Sequence, residues 1–233
     1  RVGAGELGES AFHFIELLKK NHVRIWQILP LNPVGYGNSP YQPYSSCAGD
    51  DIYISLDTLA EEGLLKKSPM PFLEKCKKVD YERVRQYREP YLRAAFMAFV
   101  EQKGYEKPEY KEFAAQSWVY EYGVFRALKE ANNGACWNEW PEEDRTWPEN
   151  RHVLDTEAEA EARYQMFLQY IFYTQWMKVK KAANEAGIQI MGDVPFYVGQ
   201  DSVDVWGGKD NFLLDTDGRP ILLQGYHRII SAQ

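Results

Sequence analysis

Apolar residues at helical spacing open the chain, and a continuous apolar run follows them. The first set falls three or four residues apart, as on one face of a helix: Ala11, Phe14, Ile15 and Leu18. Ser10 is placed to cap that helix. The run 23–31 (VRIWQILPL) then predicts a buried strand whose ladder ends near Pro30, because proline has no backbone N–H to donate.

The same order, a helix and then an apolar strand, returns near residue 190. The pattern predicts a helix from about Ala158 to Ala186 that ends at Gly187, a residue suited to a left-handed cap. Its predicted apolar face comprises Met166, Tyr170, Tyr173 and Met177. The next run begins at Ile188 and predicts a strand buried on both faces. Helices that alternate with such strands indicate an α/β fold.

A stretch of charged helices separates these two parts and predicts a helical insertion subdomain. The chain is therefore expected to divide into strands and loops at 1–65, the insertion at 66–156, a helix and strand at 157–220, and a tail at 221–233. Within the insertion, Trp137, Trp140 and Trp147 are expected to plug its base.

The loop 32–46 combines turn-forming residues with aromatic rings. It is dense in Gly, Pro, Asn and Ser, yet it carries Tyr36, Tyr41 and Tyr44. Rings held on such a loop either fold down onto the strand end or are displayed to a ligand. At Tyr36 and Tyr44 the two interpretations carry equal weight.

The net charge and the cysteines limit the kinds of partner and ligand that the sequence indicates. The net charge is −7, from 34 acidic and 27 basic side chains, which predicts neither nucleic acid nor a membrane surface as a partner. Aromatic residues make up 15% of the chain, and their flat faces suit sugar rings. Cys47, Cys76 and Cys136 lie far apart without metal-ligand spacing, so they predict reduced thiols in a cytoplasmic protein and no metal site.

Asp193 stands where the second apolar run ends. A carboxylate at that place is typical of an active site, because the carboxyl ends of parallel strands carry the chemistry in β/α barrels. The alternative is that Asp193 caps a turn or pairs with an arginine, and the spacing favours neither interpretation.

Several sequence blocks resemble those of the 4-α-glucanotransferases, also called amylomaltases or disproportionating enzymes. The blocks are WQILPL at 26–31, GYGNSPYQ at 35–42, WPEE at 140–143, GDVPFYV at 192–198 and DSVDVW at 201–206. They follow the family's order and nearly its spacing. The resemblance implies a partial (β/α)8 TIM barrel of the α-amylase type with a helical insertion.

The implied activity is transfer of a 1,4-α-glucan segment to an acceptor, with retention through a glycosyl-enzyme intermediate. The implied partner is an α-1,4-glucan or maltooligosaccharide, and no metal or organic cofactor is implied. Substrate binding is implied for Ser39, Tyr41, Gln42 and Asp193. Tyr41 would stack against the sugar at the cleaved linkage, and Asp193 would hydrogen-bond or order groups at the same subsite.

The family's three catalytic carboxylates have no counterpart in these residues. Its nucleophile lies in an Arg-x-Asp-His block, its acid/base in an Ala-Glu-Asp-Leu-Gly block, and its third carboxylate follows Thr-His-Asp; none of the three blocks occurs here. Asp201 and Asp204 match other positions of the family pattern. The chain is therefore expected to be an inactive amino-terminal fragment.

The last residues depart from the family pattern after Pro220. Where the family has a Pro-Pro-Asp-Tyr-Phe block, this chain reads LLQGYHRIIS from Leu222. A single-base frameshift just before Leu222 would produce this sequence and would leave His227 and Arg228 without an evolved role. The neighbouring reading frames of the gene test this hypothesis.

Two other functions stay open at this point. One is a non-catalytic α-glucan-binding module that uses Tyr41 and exposed tryptophans as stacking platforms, and the other is a fragment of an α-glucan hydrolase. Intact motifs beside an altered tail favour the transferase fragment. Because a few barrel strands leave an open sheet edge and an exposed apolar face, the isolated chain is expected to be aggregation-prone.

Overall fold

The computed structural model describes residues 5–35, 38–67, 79–193 and 198–221. The chain divides into two compact units. The first unit comprises Arg1–Ile28, Gly49–Ala115 and Phe167–Asp193, and the second comprises Leu29–Ala48, Gln116–Met166 and Val194–Gln233. Cys76 and the predicted frameshifted tail from Leu222, with His227 and Arg228, lie outside the described residues.

Helices make up most of the regular structure in the described part. The elements are α1 Glu9–Lys20, β1 Ile25–Gln27, α2 Leu56–Glu61, α3 Tyr81–Glu101, α4 Pro108–Ala114, α5 Ser117–Ala131, α6 Glu142–Arg145, α7 Trp147–Asn150, α8 Thr156–Glu185, β2 Gln189–Met191 and α9 Val203–Gly207. Short 3-10 turns cover Asp51–Tyr53, Gly104–Glu106, Trp137–Glu139 and Lys209–Asn211.

The two strands form a parallel pair in the first unit. Ile25 aligns with Gln189 and Gln27 with Met191. The ladder continues one bond further, since the Ile28 N–H donates to the Met191 carbonyl at 2.9 Å. Parallel strands connected through helices confirm the α/β class. The predicted strand 23–31 was too long, because β1 covers only three residues.

The prediction that β1 is a buried strand and that β2 is buried on both faces was wrong. Ile25 is 54% exposed and Met191 is 47% exposed. Within the described residues the sheet has two strands, so each strand keeps an open edge and little packs over its faces. A run of apolar residues therefore did not by itself secure burial.

Helix α1 begins before the predicted cap. Its N-cap is Gly8, and Ser10 lies inside the first turn. A Cβ added at Gly8 would collide with the Ser55 hydroxyl, so close packing selects glycine over a capping side chain. Within the predicted apolar face Ile15 is buried, whereas Phe14 is 38% exposed.

Helix α8 confirms the predicted long helix, and Gly187 after it has φ +78°, the left-handed conformation of a cap. The predicted apolar face was incomplete, because Met177 is 54% exposed. The buried apolar residues are Ala158, Ala162, Tyr164, Phe167, Leu168, Ile171, Phe172, Val179 and Ala183. A helix buried around much of its circumference has no single apolar stripe.

Two glutamines of α8 bind the backbone of segment 49–55 in the first unit. Gln169 Oε1 accepts the Gly49 N–H at 2.8 Å, and its Nε2 donates to the Gly49 carbonyl at 2.9 Å. Gln175 makes the same two contacts with Ser55, at 2.6 and 3.1 Å. Both side chains are 1% exposed. Each glutamine side chain thus forms hydrogen bonds with both the N–H and the carbonyl of one buried residue, whose peptide groups lie outside any strand.

The predicted insertion, 66–156, is divided between the two units. Its helices α3 and α4 belong to the first unit and α5 to the second. In the first unit the Phe99 ring of α3 lies 5.0 Å from Phe167 and 5.1 Å from Tyr110, between ring centroids. The sequence-based domain boundaries stay a prediction.

Tryptophans form the core of the second unit. Trp147 and Trp206 stack with centroids 5.7 Å apart and an interplanar angle of 11°, and Trp140 lies 5.9 Å from Trp206. With Trp137, these side chains are 1–3% exposed. Each indole N–H donates to a backbone carbonyl: that of Trp137 to Gln200, that of Trp140 to Ala135, that of Trp147 to His152 and that of Trp206 to Asp144. The predicted packing role of Trp137, Trp140 and Trp147 is confirmed by their burial, whereas their place at the base of an insertion stays a prediction.

Candidate functional site

Ser39, Tyr41 and Gln42 lie in one turn of the second unit. The Ser39 carbonyl accepts the Gln42 N–H at 3.3 Å, and its hydroxyl oxygen accepts the Tyr41 N–H at 3.4 Å. Asn38, just before the turn, has φ 53°, a left-handed conformation that asparagine tolerates. The backbone therefore brings together the three candidate residues of this loop.

Two arms of the loop meet below this turn. Val34 and Pro43 form an isolated antiparallel bridge, and the Tyr44 N–H donates to the Pro33 carbonyl at 2.9 Å. A Cβ added at Gly35 would lie 3.0 Å from the Gln42 carbonyl oxygen, so glycine allows the arms to approach closely. Tyr36 lies outside the described residues.

Tyr44 packs on helix α5, which supports a structural role for this ring. Its centroid lies 6.4 Å from that of Phe125. The Arg126 guanidinium carbon is 5.6 Å from the Tyr44 centroid, and Lys129 Nζ is 5.1 Å from it. Cations at this distance are attracted to the electron-rich ring. Tyr41, three residues earlier, is partly buried.

Asp193 belongs to the first unit, whereas Ser39, Tyr41 and Gln42 belong to the second. In the chain, the loop follows β1 and Asp193 follows β2. Within the first unit β1 and β2 are parallel, and Asp193 lies beyond the carboxyl end of β2, the strand end that carries ligand sites in α/β folds. The placement of Asp193 just beyond a strand end is confirmed by the structure.

Asp201 is part of a partly buried polar cluster. Its Oδ2 lies 2.5 Å from Lys129 Nζ, and its Oδ1 accepts the Trp137 N–H at 3.4 Å. Lys129 also donates to the Ala135 carbonyl at 3.1 Å. Burial, with the nearby Asp201 charge as a second cause, raises the pKa of Cys136 to about 11. These contacts indicate that Asp201 has a structural role in the second unit.

Asp204 makes a contact that the sequence did not reveal. Its carboxylate accepts the N–H and the hydroxyl of Ser46, which lies 158 residues away in the chain. No local pattern links residues so far apart. The sequence signal nearest to this contact was that Asp204 lies two residues after Ser202, the N-cap of α9.

The expectation of exposed tryptophans as stacking platforms was wrong. Four of the seven are 1–3% exposed and belong to the core of the second unit. The other three, Trp26, Trp118 and Trp176, are partly buried. No tryptophan is therefore exposed, and Tyr41 is partly buried as well.

Among the described residues, no three His, Cys, Asp or Glu side chains are grouped so that they could hold a metal ion. In the same part of the chain no helix combines the length and apolar character needed to cross a membrane.

The parallel pair of β1 and β2, joined through helices, defines an α/β protein. A family model described as 4-alpha-glucanotransferase matches residues 1–225. The chain therefore belongs to the 4-alpha-glucanotransferase family.

Individual relatives support the same family assignment. A 4-alpha-glucanotransferase of Synechocystis is 41% identical over 97% of this chain and 46% of its own length, and that of Thermus thermophilus is 38% identical over 96% and 45%. The amylomaltase from Streptococcus agalactiae, solved in complex with acarbose, superposes with a TM-score of 0.84 at 32% identity. It is covered over 46% of its length and this chain over 94%. The chain thus spans about half the length of these relatives.

Proposed function

We propose that this chain supplies the glucan-binding part of a 4-α-glucanotransferase, which transfers a segment of a 1,4-α-glucan to glucose or another glucan. The observation that carries the proposal is the 41% identity over 97% of the chain to a protein of that name. A TM-score of 0.84 to an amylomaltase supports it independently. The reaction proceeds with retention, through a glycosyl-enzyme intermediate.

The chemistry is assigned to segments outside these residues. The blocks that hold the family's nucleophile, acid/base and third carboxylate do not occur in the sequence. Asp201 is engaged by Lys129 and Asp204 by Ser46, so both carboxylates already have structural partners. By this proposal the chain binds glucan without cleaving it.

The finer fold follows from the same proposal. The pair β1 and β2 corresponds to strands of a (β/α)8 TIM barrel, of which this chain forms a part. Support comes from the parallel pairing and from the candidate loops that follow both strands. In such barrels the loops after the strands hold the substrate.

Each candidate residue has a chemical role in this proposal. Tyr41 offers an aromatic face to the C–H face of a sugar ring. Ser39, Gln42 and Asp193 supply the hydroxyl, amide and carboxylate groups that suit sugar hydroxyls, which both donate and accept hydrogen bonds. The Ser39–Gln42 turn sets the spacing of Ser39, Tyr41 and Gln42.

Titration calorimetry with maltoheptaose tests glucan binding. Tyr41→Ala is expected to weaken the affinity by about tenfold, because it removes a stacking contact of about 1 kcal/mol or more. Tyr105→Ala is the matched control, since Tyr105 is a 45% exposed tyrosine of the first unit outside the candidate site. Absence of binding to the unaltered chain, or equal binding by Tyr41→Ala, would contradict the proposal.

Incubation with maltotriose tests the assignment of catalysis. No glucose and no longer oligosaccharides are expected from this chain alone. Glucose together with longer products would show that transfer chemistry resides within these residues. Glucose without longer products would instead indicate an α-glucan hydrolase, the competing function.

A further inference from the structure

The loop that carries Tyr41 is fastened at Ser46 to a single carboxylate. The Ser46 N–H donates to Asp204 Oδ2 at 2.8 Å, and the Ser46 hydroxyl donates to Asp204 Oδ1. Both carboxylate oxygens are therefore occupied by one residue of the loop. Hydrogen bonds to an ionised acceptor are about twice as strong as neutral ones.

A second contact lies two residues before Ser46. The Tyr44 carbonyl accepts the Val203 N–H at 2.8 Å, while the Tyr44 ring packs on helix α5. Val203 and Asp204 are the first two residues of α9. The same short helix thus holds the loop at two alternate positions, 44 and 46.

The segment before α9 also lies close to the loop in space. A Cβ added at Gly199 would lie 3.0 Å from the Pro43 carbonyl oxygen, so glycine permits this approach. On the other side, Asn32 Nδ2 donates to the Ser46 and Ala48 carbonyls, both at 3.0 Å. The base of the loop is fixed from both sides, and all of these residues belong to the second unit.

The base of α9 is itself rigid, which makes Asp204 a suitable anchor. Ser202 caps the helix through the Val205 N–H at 3.2 Å and is fully buried. Val205 and Trp206 are 0% and 1% exposed, so the helix is held by the tryptophan core. Because Ser202, Val205 and Trp206 are buried, the backbone that carries Asp204 is held close to Ser46.

We propose that Asp204 is a positioning residue for glucan binding: through Ser46 it holds the loop in the conformation that presents Tyr41 to the sugar. Asp204 would make no contact with the glucan. Its effect would arise because a loop fixed before binding loses less conformational freedom when the ligand binds. This inference rests on the proposed glucan-binding function.

The test is titration calorimetry of the whole chain with maltoheptaose, in four forms. Asp204→Ala is expected to weaken the affinity about five- to tenfold, in keeping with the loss of hydrogen bonds to a charged group. Asp204→Asn keeps one acceptor for the Ser46 N–H and should restore most of the affinity. Asp210→Ala, which removes an exposed carboxylate after α9, is the matched control and should bind as the unaltered chain does.

Hydrogen exchange separates positioning from general stability. In Asp204→Ala the amides of 38–48 should exchange at least about tenfold faster, while those of α8 keep their protection. If Asp204→Ala fails to fold, Ser46→Ala takes its place, because it removes the hydroxyl bond and leaves the backbone N–H bond. Its expected loss of affinity is smaller, about threefold.

The outcomes distinguish this inference from the proposed function. If the unaltered chain binds no maltoheptaose, the proposed function fails and the inference fails with it. If the unaltered chain binds and the Asp204 and Ser46 variants bind equally well, the inference alone is overturned. A loss of affinity matched by equal deprotection of α8 would also overturn it, because Asp204 would then act on global stability.

Discussion

Lys129 and Asp201 form an ion pair in the second unit, with 2.5 Å between Nζ and Oδ2 and the lysine side chain 8% exposed. Lys129 lies on α5 and Asp201 precedes α9, so the pair joins two elements of that unit. The Lys129 ammonium also lies 5.1 Å from the Tyr44 centroid. One buried cation therefore connects a core helix, the segment before α9 and the base of the loop.

Replacing this lysine should lower the stability of the second unit. Lys129→Ala removes the ammonium partner of the Asp201 carboxylate, which keeps the Trp137 N–H, and one of the two donors to the Ala135 carbonyl, which keeps the Trp140 indole N–H. We therefore expect the free energy of unfolding to fall by about 2 kcal/mol. The loss is set below the full value for a buried pair because Asp201 is 31% exposed. Urea unfolding measures it, and Lys180→Ala on the exposed face of α8 is the control. Equal midpoints for the two variants would refute the expectation.

Gln169→Leu should destabilise the first unit. The substitution keeps the volume but removes the partners of the Gly49 N–H and carbonyl, which are buried. An unsatisfied buried peptide group costs about 1–3 kcal/mol, so we expect a loss of about 2–4 kcal/mol for the two groups. Thermal unfolding followed by circular dichroism is the measurement. Gln86→Leu changes an exposed glutamine of α3 and should leave the transition almost unmoved.

Cys136 should react slowly with alkylating reagents. Burial raises its pKa from 9.0 to about 11, so at pH 8 its thiolate fraction is about 100-fold below that of an ordinary thiol. Cys47 is exposed and should be labelled first. Peptide mapping after timed treatment with iodoacetamide assigns each thiol. Faster labelling of Cys136 than of Cys47 in the folded chain would argue against a buried thiol.

The same pKa has a consequence for stability at high pH. Between pH 9 and 11 the unfolded chain loses the Cys136 proton while the folded chain retains it. Because the folded state then binds more protons, the free energy of unfolding should decrease as the pH rises through this window. Cys136→Ser should show a shallower decrease than the unaltered chain, as measured by urea midpoints from pH 8 to 11.

The isolated chain should associate as its concentration rises. Ile25 in β1 and Met191 in β2 are 54% and 47% exposed beside open strand edges. Sedimentation velocity between about 1 and 100 μM should show a growing sedimentation coefficient. Ile25→Lys places a charge on the edge and should reduce the association, whereas Val153→Lys, at a 92% exposed residue of the second unit, should not. A monomer over the whole range would exclude edge pairing.

Local patterns predicted the elements that depend on neighbouring residues. The long helix α8 and its left-handed cap at Gly187 followed from spacing and one glycine. Trp137, Trp140 and Trp147 were correctly assigned to the core, since large rings bury the most apolar area. The turn at Ser39–Gln42 lies in the loop 32–46, whose Gly, Asn, Ser and Pro content predicted turns.

What the patterns missed depends on distant residues. Gly8 replaces Ser10 as the cap because Ser55 packs against it, a contact that no local spacing reveals. The apolar run around Ile25 predicted a buried strand and that around Ile190 a strand buried on both faces, yet burial requires neighbouring elements that pack over the strands. The Ser46–Asp204 contact joins residues 158 positions apart, and only the fold brings them together.

The pairing of Ile25 with Gln189 has a consequence for the time course of folding. Closing a loop that contains most of the chain costs entropy before any strand bond forms. Contacts of such high sequence separation slow folding, whereas α8 can form from local contacts. During synthesis, β1 leaves the ribosome long before its partner exists, and its exposed edge must wait unpaired until residues 189–191 emerge.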